Sequence, residues 1–491
     1  MSDVVNVTAD PTRRYGQPNI DFDPTDPNTI VYVVQTTAYT AAGVANKDPN
    51  CDQNVYWGQS RGEIENVRDF TVPAVFTSRD AGATWEKGTM PVPADYPALT
   101  TFGNATVAAA PDGTFYLCFL GVEWFKGLPY PLTHAGNFVS KSTDKGRTWS
   151  EPVLVHTPLD HPRVVVDPTT GRIYQSSGDR ATAYPSPATE AIPGTPFGDH
   201  WDRFTVASDD GITWTKPQGW GGGVEHDNYS QVYVSAANGV LAGVFQHVDA
   251  TGLGLGIDDA AETDDDESRS IVFQTTADDG ATWSTHEVPV RPDATGYTVP
   301  SVAADPARPG HFVVAVMNGT RKYGARELLM GAYPTGTDVL LYETTDGGKT
   351  WAERVVATGP EIKRKLWVSF SRDGVLAVLW VADEPGPPKS WTVPPIGPPF
   401  EDEEPTTEQT YPYHVCLAIS QDGGTTFDDT VTATVQPSPP GDAHRAIGDC
   451  CACVVMTHDT AYVAWGDWSP EGSLGKPGDD SAGFFRAIKF R

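Results

Sequence analysis

The eight-residue string SRDAGATW, Ser78 to Trp85, returns five more times along this chain. It comes back as STDKGRTW (142–149), ASDDGITW (207–214), TADDGATW (276–283), TTDGGKTW (344–351) and SQDGGTTF (420–427). Aligned as [S/T/A]-x-D-x-G-x-T-[W/F], the strings place Asp80, Asp144, Asp209, Asp278, Asp346 and Asp422 at steps of 64, 65, 69, 68 and 76 residues. A period this regular is one supersecondary unit copied along the chain, and such units bury their apolar faces only against one another. The 491 residues are therefore expected to form a single closed array over 1–491, not several linked domains.

The fifth unit shows what is copied. VPSVAADPARPGHFVVAVMNG reads as a strand (299–304), a tight turn at Asp305–Gly310 and a second strand (311–317). After a long connection, a third strand (338–344) leads into the repeated turn, and a fourth starts at Trp351. Similar opening hairpins are QPNIDFDPTDPNTIVYVVQ, NATVAAAPDGTFYLCFL, PRVVVDPTTGRIYQSS, YSQVYVSAANGVLAGVFQ, LWVSFSRDGVLAVLW and CCACVVMTHDTAYVAWGDW, which makes seven units. The predicted fold is all-β: a seven-bladed β-propeller of four-stranded antiparallel blades, six carrying the repeated turn. After the seventh hairpin there is sequence for one more strand, AGFFRAIKF, so the N-terminal DVVNVT is expected to supply the last blade's outer strand.

Within the repeated string, Gly permits a backbone conformation other residues resist, and the Asp and Ser/Thr side chains can bond turn amides. The following Trp is expected to pack across its hairpin. The motif resembles the Asp-box, or BNR repeat, of the sialidase-like β-propeller superfamily, and the six matches extend the resemblance over nearly the whole chain. The resemblance implies that the boxes lie between third and fourth strands, away from any substrate, and that their carboxylates are structural.

Charge limits the partners. Against 34 Lys and Arg stand 64 Asp and Glu, a net −30 that repels nucleic acid and anionic membrane surfaces. No run approaches 18 apolar residues, and MSDVVNVTADP has neither a basic nor an apolar leader segment. The expectation is a soluble monomer that takes a glycan or another small-molecule substrate. As written it reads as cytoplasmic, or as extracellular if a signal peptide has been removed.

In an antiparallel blade, first-to-second and third-to-fourth turns share one side. The long second-to-third connections, about 38–69, 121–136, 179–202, 249–268, 318–337, 383–411 and 467–481, then form a rim on the other. Loops on a rigid scaffold commonly carry function. Of the histidines, His134, His161, His200, His226, His247, His414 and His444 fall on or near this rim. At or near the starts of the innermost strands, where side chains approach the axis, stand Arg14, Asn19, Asn104, His161, Arg163, Glu225, His226, Asp227, Tyr229, Tyr297, Arg364, Trp367, His444 and Arg445.

The resemblance implies sialidase-like hydrolysis of an anionic sugar, with three arginines on the substrate carboxylate, a Tyr nucleophile activated by Glu, and an Asp acid/base. Arg14, Arg163, Arg364 and Arg445 could supply the arginines, since a guanidinium donates two parallel hydrogen bonds to a carboxylate. Tyr229 or Tyr297 would be the nucleophile, with Glu225 and Asp227 as partners and His226 beside them; His161, Trp367 and His444 would line the substrate site. TRRYGQPNID stands where that family carries an early Arg-Ile-Pro. Each arginine could instead pair with a carboxylate such as Asp227 or Asp449.

Other chemistries remain open. His226, Tyr229, His161 and Arg163 would suit a polysaccharide lyase that removes a proton beside a uronate carboxylate. The rim histidines could ligate a metal, although no H-x-H or H-x-x-x-H spacing occurs. A glycan- or protein-binding scaffold would need no catalytic group. The sequence names no cofactor. Cys450, Cys451 and Cys453 crowd GDCCACVVM, as thiols, a disulfide or ligands, and DDAAETDDDES (258–268) reads as a solvated loop.

Overall fold

A computed structural model describes residues 2–9, 13–38, 73–88, 90–91, 93–95, 101–124, 132–156, 161–178, 203–220, 232–248, 269–292, 300–318, 336–384, 389–393, 406–438, 452–467 and 482–491. They form seven four-stranded antiparallel blades in a propeller ring. Blade one takes Arg13–Asp23, Asp26–Ala38, Ala74–Ser78 and Glu86–Gly88; blade two takes Thr101–Ala109, Phe115–Trp124, Leu132–Ser142 and Val153–His156. Blade three is Arg163–Val166, Ile173–Gly178, Arg203–Ser208 and Gln218–Gly219; blade four is Tyr233–Ala237, Val240–Val248, Arg269–Thr276 and Ser284–Val288. Blade five is Ser301–Ala304, Phe312–Met317, Val339–Thr344 and Ala352–Ala357, and blade six is Lys363–Phe370, Leu376–Asp383, Tyr413–Ser420 and Val431–Thr432. Blade seven joins Ala452–Met456, Thr460–Asp467 and Ala482–Lys489 to the N-terminal strand Val5–Asn6, which pairs with Phe485 and Phe484. The expected closure by the N-terminus is what the chain does.

The apolar core lies between the blades. Its seven clusters coincide with the seven seams, each combining side chains from two adjacent blades. Middle strands are covered on both faces and so read as continuous apolar runs, such as the fully buried FVVAVM of Phe312–Met317. Outer strands are short or alternate with solvent, as in AERVVA of Ala352–Ala357.

Each repeated turn is organised by its aspartate. In blade two, Asp144 Oδ1 accepts from Ser142 Oγ at 2.9 Å and from the Thr148 backbone N–H at 2.8 Å, while Oδ2 accepts from the Thr148 hydroxyl at 2.7 Å. Ser142 Oγ in turn accepts from the Gly146 N–H four residues on. Blade three departs from the sequence alignment. There Ser208 donates to Asp210, not Asp209, and accepts from Gly211 only three residues on, so this turn is one residue shorter between Asp and Gly. Asp209 points to solvent and pairs with Arg172 at 2.6 Å.

The aromatic residue that closes the turn also differs from expectation. It wedges into the seam with the preceding blade: Trp351 of blade five lies 5.2 Å from Phe273 of blade four, and Trp85 of blade one lies 5.2 Å from Phe485 of blade seven. Gly82 shows why the turn needs glycine, since its φ is +87° and a Cβ there would overlap the Phe485 ring.

The rim side was less completely anticipated. In blade two, pairing continues through Val122↔Ala135 and Trp124↔Leu132, so the connection expected over 121–136 shrinks to 125–131. The Pro-rich stretch of blade six carries its own ribbon, Lys389–Val393 paired with Thr406–Thr410.

Candidate axial site

Hydrogen bonds fix which inner-strand residues share a level. Asn19 Oδ1 of blade one accepts from the Val107 N–H of blade two at 2.9 Å. Thr106 of blade two donates to Pro162 O at 3.3 Å and accepts from the Val164 N–H of blade three at 3.1 Å. Ser301 of blade five accepts from the Val368 N–H of blade six at 3.3 Å, and Cys453 Sγ of blade seven lies 3.6 Å from Pro18 O of blade one. Wherever this level holds a small polar side chain, it clips one inner strand to the next.

In blades three, four and six the level is held instead by Arg163, Tyr233 and Trp367. These are far larger, and they converge. The Arg163 guanidinium carbon sits 4.0 Å from the centre of the Tyr233 ring and 5.3 Å from that of Trp367. The two rings are 6.1 Å apart and nearly perpendicular, at 77°. Trp367 also packs against three of the seams, between blades four and five, six and seven, and seven and one, as a residue on the axis can. Arg163 and Tyr233 are buried. A guanidinium over aromatic faces gains from the ring quadrupole, more when desolvated.

Two residues further along the same inner strand of blade one is Asp21. Its carboxylate accepts from the Ala109 N–H at 2.7 Å and the Phe22 N–H at 2.8 Å. Burial pushes its pKa up to about 7 against the pull of those bonds and of Arg372.

Arg364 does not join Arg163. Its Nη2 pairs with Asp383 Oδ1 at 2.7 Å beside Tyr413, the carboxylate pairing that the sequence left open for these arginines. Burial raises the pKa of Asp383 and Arg364 opposes it. The neighbouring Lys363 Nζ donates to Thr337 O at 2.7 Å and Glu361 O at 3.2 Å. His161 is buried at the start of blade three's inner strand. Arg14 lies on blade one's inner strand, but its side chain is outside the described residues, as are Glu225, His226, Asp227, Tyr229, Tyr297, His444 and Arg445.

Among the described residues, no group of three or more His, Cys, Asp or Glu side chains is arranged to hold a metal ion. His414 lies between Thr434 Oγ1, 2.6 Å from Nδ1, and Glu384 Oε1, 3.2 Å from Nε2, and burial lowers its pKa. Cys118, Cys416 and Cys453 are buried and form no disulfide among the described residues, and burial pushes the Cys416 thiol up to about 11. Cys51, Cys450, Cys451 and the 258–268 run lie outside the described residues.

Sequence reasoning missed Tyr233. The signal was available, because aligning the inner strands on their clip residues puts it level with Arg163 and Trp367.

No family model matches this chain. A curated relative, the photosystem II assembly lipoprotein Ycf48 of Picosynechococcus sp., is 54% identical over 43 residues, which is 9% of this chain and 13% of that protein. Among solved structures, a protein of unknown function from Dyadobacter fermentans is similar over 100% of this chain and 98% of its own, at 12% identity and a TM-score of 0.48. The Hadza microbial sialidase Hz136 is similar over 86% of this chain and 73% of its own, at 15% identity and a TM-score of 0.40. The α-L-arabinofuranosidase Arb93A of Fusarium graminearum is similar over 77% and 92%, at 13% identity and a TM-score of 0.46. At such identities and scores these likenesses establish no shared chemistry.

Proposed function

We propose that this propeller binds an anionic sugar at the rim-side mouth of its axis and cleaves its linkage by a sialidase-like hydrolysis. The observation that supports this reading is the Arg163 guanidinium, a planar cation held between Tyr233 and Trp367 in a chain of net −30. The guanidinium fork matches a carboxylate in a bidentate way. The chain leading into the inner strand of blade four carries Glu225, Asp227 and Tyr229 shortly before Tyr233, with the residue types of a nucleophile and its acid/base partners. The resemblance of the repeated turns to the Asp-box implies that the chemistry lies on the opposite, rim side, which supports this reading.

A second reading has its own observation. Three large side chains meeting on the axis are also what a plugged, non-catalytic glycan- or protein-binding scaffold would contain. Calorimetry and product analysis with sialosides and uronate oligosaccharides separate the two. The parent should bind and cleave, and Arg163→Ala or Arg445→Ala, checked for folding by circular dichroism, should weaken binding by about ten- to a hundredfold. If the parent neither binds nor cleaves any anionic glycan, the enzymatic reading fails and the scaffold stands.

A further inference from the structure

Nine non-glycine residues among those described adopt positive φ. Ala81, Lys145 and Asp279 each follow the aspartate of a repeated turn, Asn238 sits in a hairpin turn before Gly239, and Ala9 follows the N-terminal strand. The other four belong to no such turn. Gln17, Asn104, His161 and Lys365, with φ between 50° and 57°, lie on or at the start of the inner strands of blades one, two, three and six. Each stands two residues before the residue at the clip level: Asn19, Thr106, Arg163 and Trp367.

Three of the four coincide with breaks in inner-strand pairing, between Gly16 and Asn19, Gly103 and Thr106, and Arg364 and Trp367. A bulge of this kind drops a residue from the ladder and re-aims its side chain. For Gln and Lys the left-handed region is unfavourable, His and Asn enter it more readily, and glycine adopts it freely. Strain repeated at one level in four blades points to a use for those side chains.

We propose that Gln17, Asn104, His161 and Lys365 form a polar ring at the rim-side mouth of the axis, which hydrogen-bonds a polyhydroxylated ligand above Arg163. The location rests on the carbohydrate reading given above; the ring and its chemistry rest on the bulges. Arg163 and Trp367 meet on the axis, so residues two positions rimward occupy the next level out. Two carboxamides and an imidazole both donate and accept, as sugar hydroxyls do, and the Lys365 ammonium suits an acidic substituent. The Oε1 atoms of Gln17 and of Gln35, whose side chain lies against Gly103, are buried acceptors with no hydrogen-bond partner among the described residues.

Glycine substitution separates backbone from side chain. Gln17→Gly and Asn104→Gly keep the left-handed conformation and delete the amide, so each should fold as the parent does by circular dichroism while weakening binding at least tenfold. Binding is measured by calorimetry with whichever sialoside, uronate or arabino-oligosaccharide the parent binds on a glycan array. Asn238→Gly, which relaxes a left-handed residue remote from the axis, should leave Kd unchanged. If both inner-strand variants bind as the parent does, the ring is overturned while the carbohydrate reading survives. If the parent binds no glycan on the array, both fall together.

Discussion

The guanidinium of Arg163 on blade three lies 5.3 Å from the centre of the Trp367 ring on blade six, so two blades that share no seam touch across the axis. Neighbouring inner strands are joined by short polar clips, whereas this pair joins opposite sides of the ring. The axis is therefore both part of the core and the floor of the candidate site.

Replacing Trp367 with Ala should destabilise the protein by about 3–5 kcal/mol, because the indole packs against three seams that would all face the resulting cavity. Arg163→Met keeps much of the volume and removes the charge. It should cost less stability than Trp367→Ala, since most of the buried volume is kept and mainly the contacts of the guanidinium are lost, while weakening any binding of anionic glycans. Urea titrations of both variants check the first part, and calorimetry the second. A large stability loss in Arg163→Met would make the arginine a packing residue.

Asp210→Ala should lower Tm clearly, and Asp209→Ala should leave it within error. The Thr213 and Ile212 backbone N–H groups bond the Asp210 carboxylate and hold its pKa down near 2, whereas Asp209 has its solvent-exposed pairing with Arg172. In blade two, Asp144→Ala should cost about 1–3 kcal/mol with activity per folded molecule unchanged. Scanning calorimetry of the three variants suffices, and the reverse order for Asp209 and Asp210 would restore the alignment that sequence alone suggests.

The misreading of Asp209 shows where sequence reasoning stops. Blade number, hairpins, closure by residues 3–8 and the repeated turns were legible because turn chemistry and hydrophobic period are local. A one-residue deletion in ASDDGITW was invisible because Ala207 and Asp209 satisfy the same pattern as Ser208 and Asp210. Arg364 and Arg163 looked alike on paper. They diverge because pairing sets Asp383 within reach of Arg364, and because Tyr233 and Trp367, from two other blades, close around Arg163. Such long-range partners leave no mark at a fixed spacing.

Stability should respond to pH in two opposite ways. Hydrogen bonds, with the Thr84, Thr282 and Thr350 hydroxyls the foremost, depress Asp80, Asp278 and Asp346, the last to about 2. Their contribution is present above the unfolded value and is lost as pH falls through the folded one. Asp21 runs the other way. Its folded pKa is raised to about 7, so between the unfolded value of 3.8 and about 7 the folded state holds the extra proton and stability falls as pH rises. Asp21→Asn should remove that fall, gaining on the parent between pH 4 and pH 8. Denaturation curves at both pH values decide it, and an identical difference at the two would rule out the raised pKa.

The seam between blades seven and one is closed by residues 2–9 at the N-terminus and by one glycine. Ser2 N donates to Ala487 O and Val7 N to Gly483 O, both at 2.9 Å, and Thr8 Oγ1 accepts from Gly483 N at 3.1 Å. Val7 is buried in the same seam. Deleting residues 2–9 removes a buried valine, worth about 1.5–3 kcal/mol, and several hydrogen bonds of about 1 kcal/mol each. It also bares the edge of Ala482–Lys489, and an uncovered edge invites pairing with another chain. The truncated protein should melt earlier and run as dimers or larger species in size-exclusion chromatography, and a synthetic peptide of residues 2–9 should reverse both effects. Gly82→Ala attacks the same seam from blade one by combining a positive φ with a clash against Phe485, and should cost about 2–4 kcal/mol without baring an edge. If truncation leaves Tm and monomer content unchanged, the N-terminal strand does not hold the ring closed.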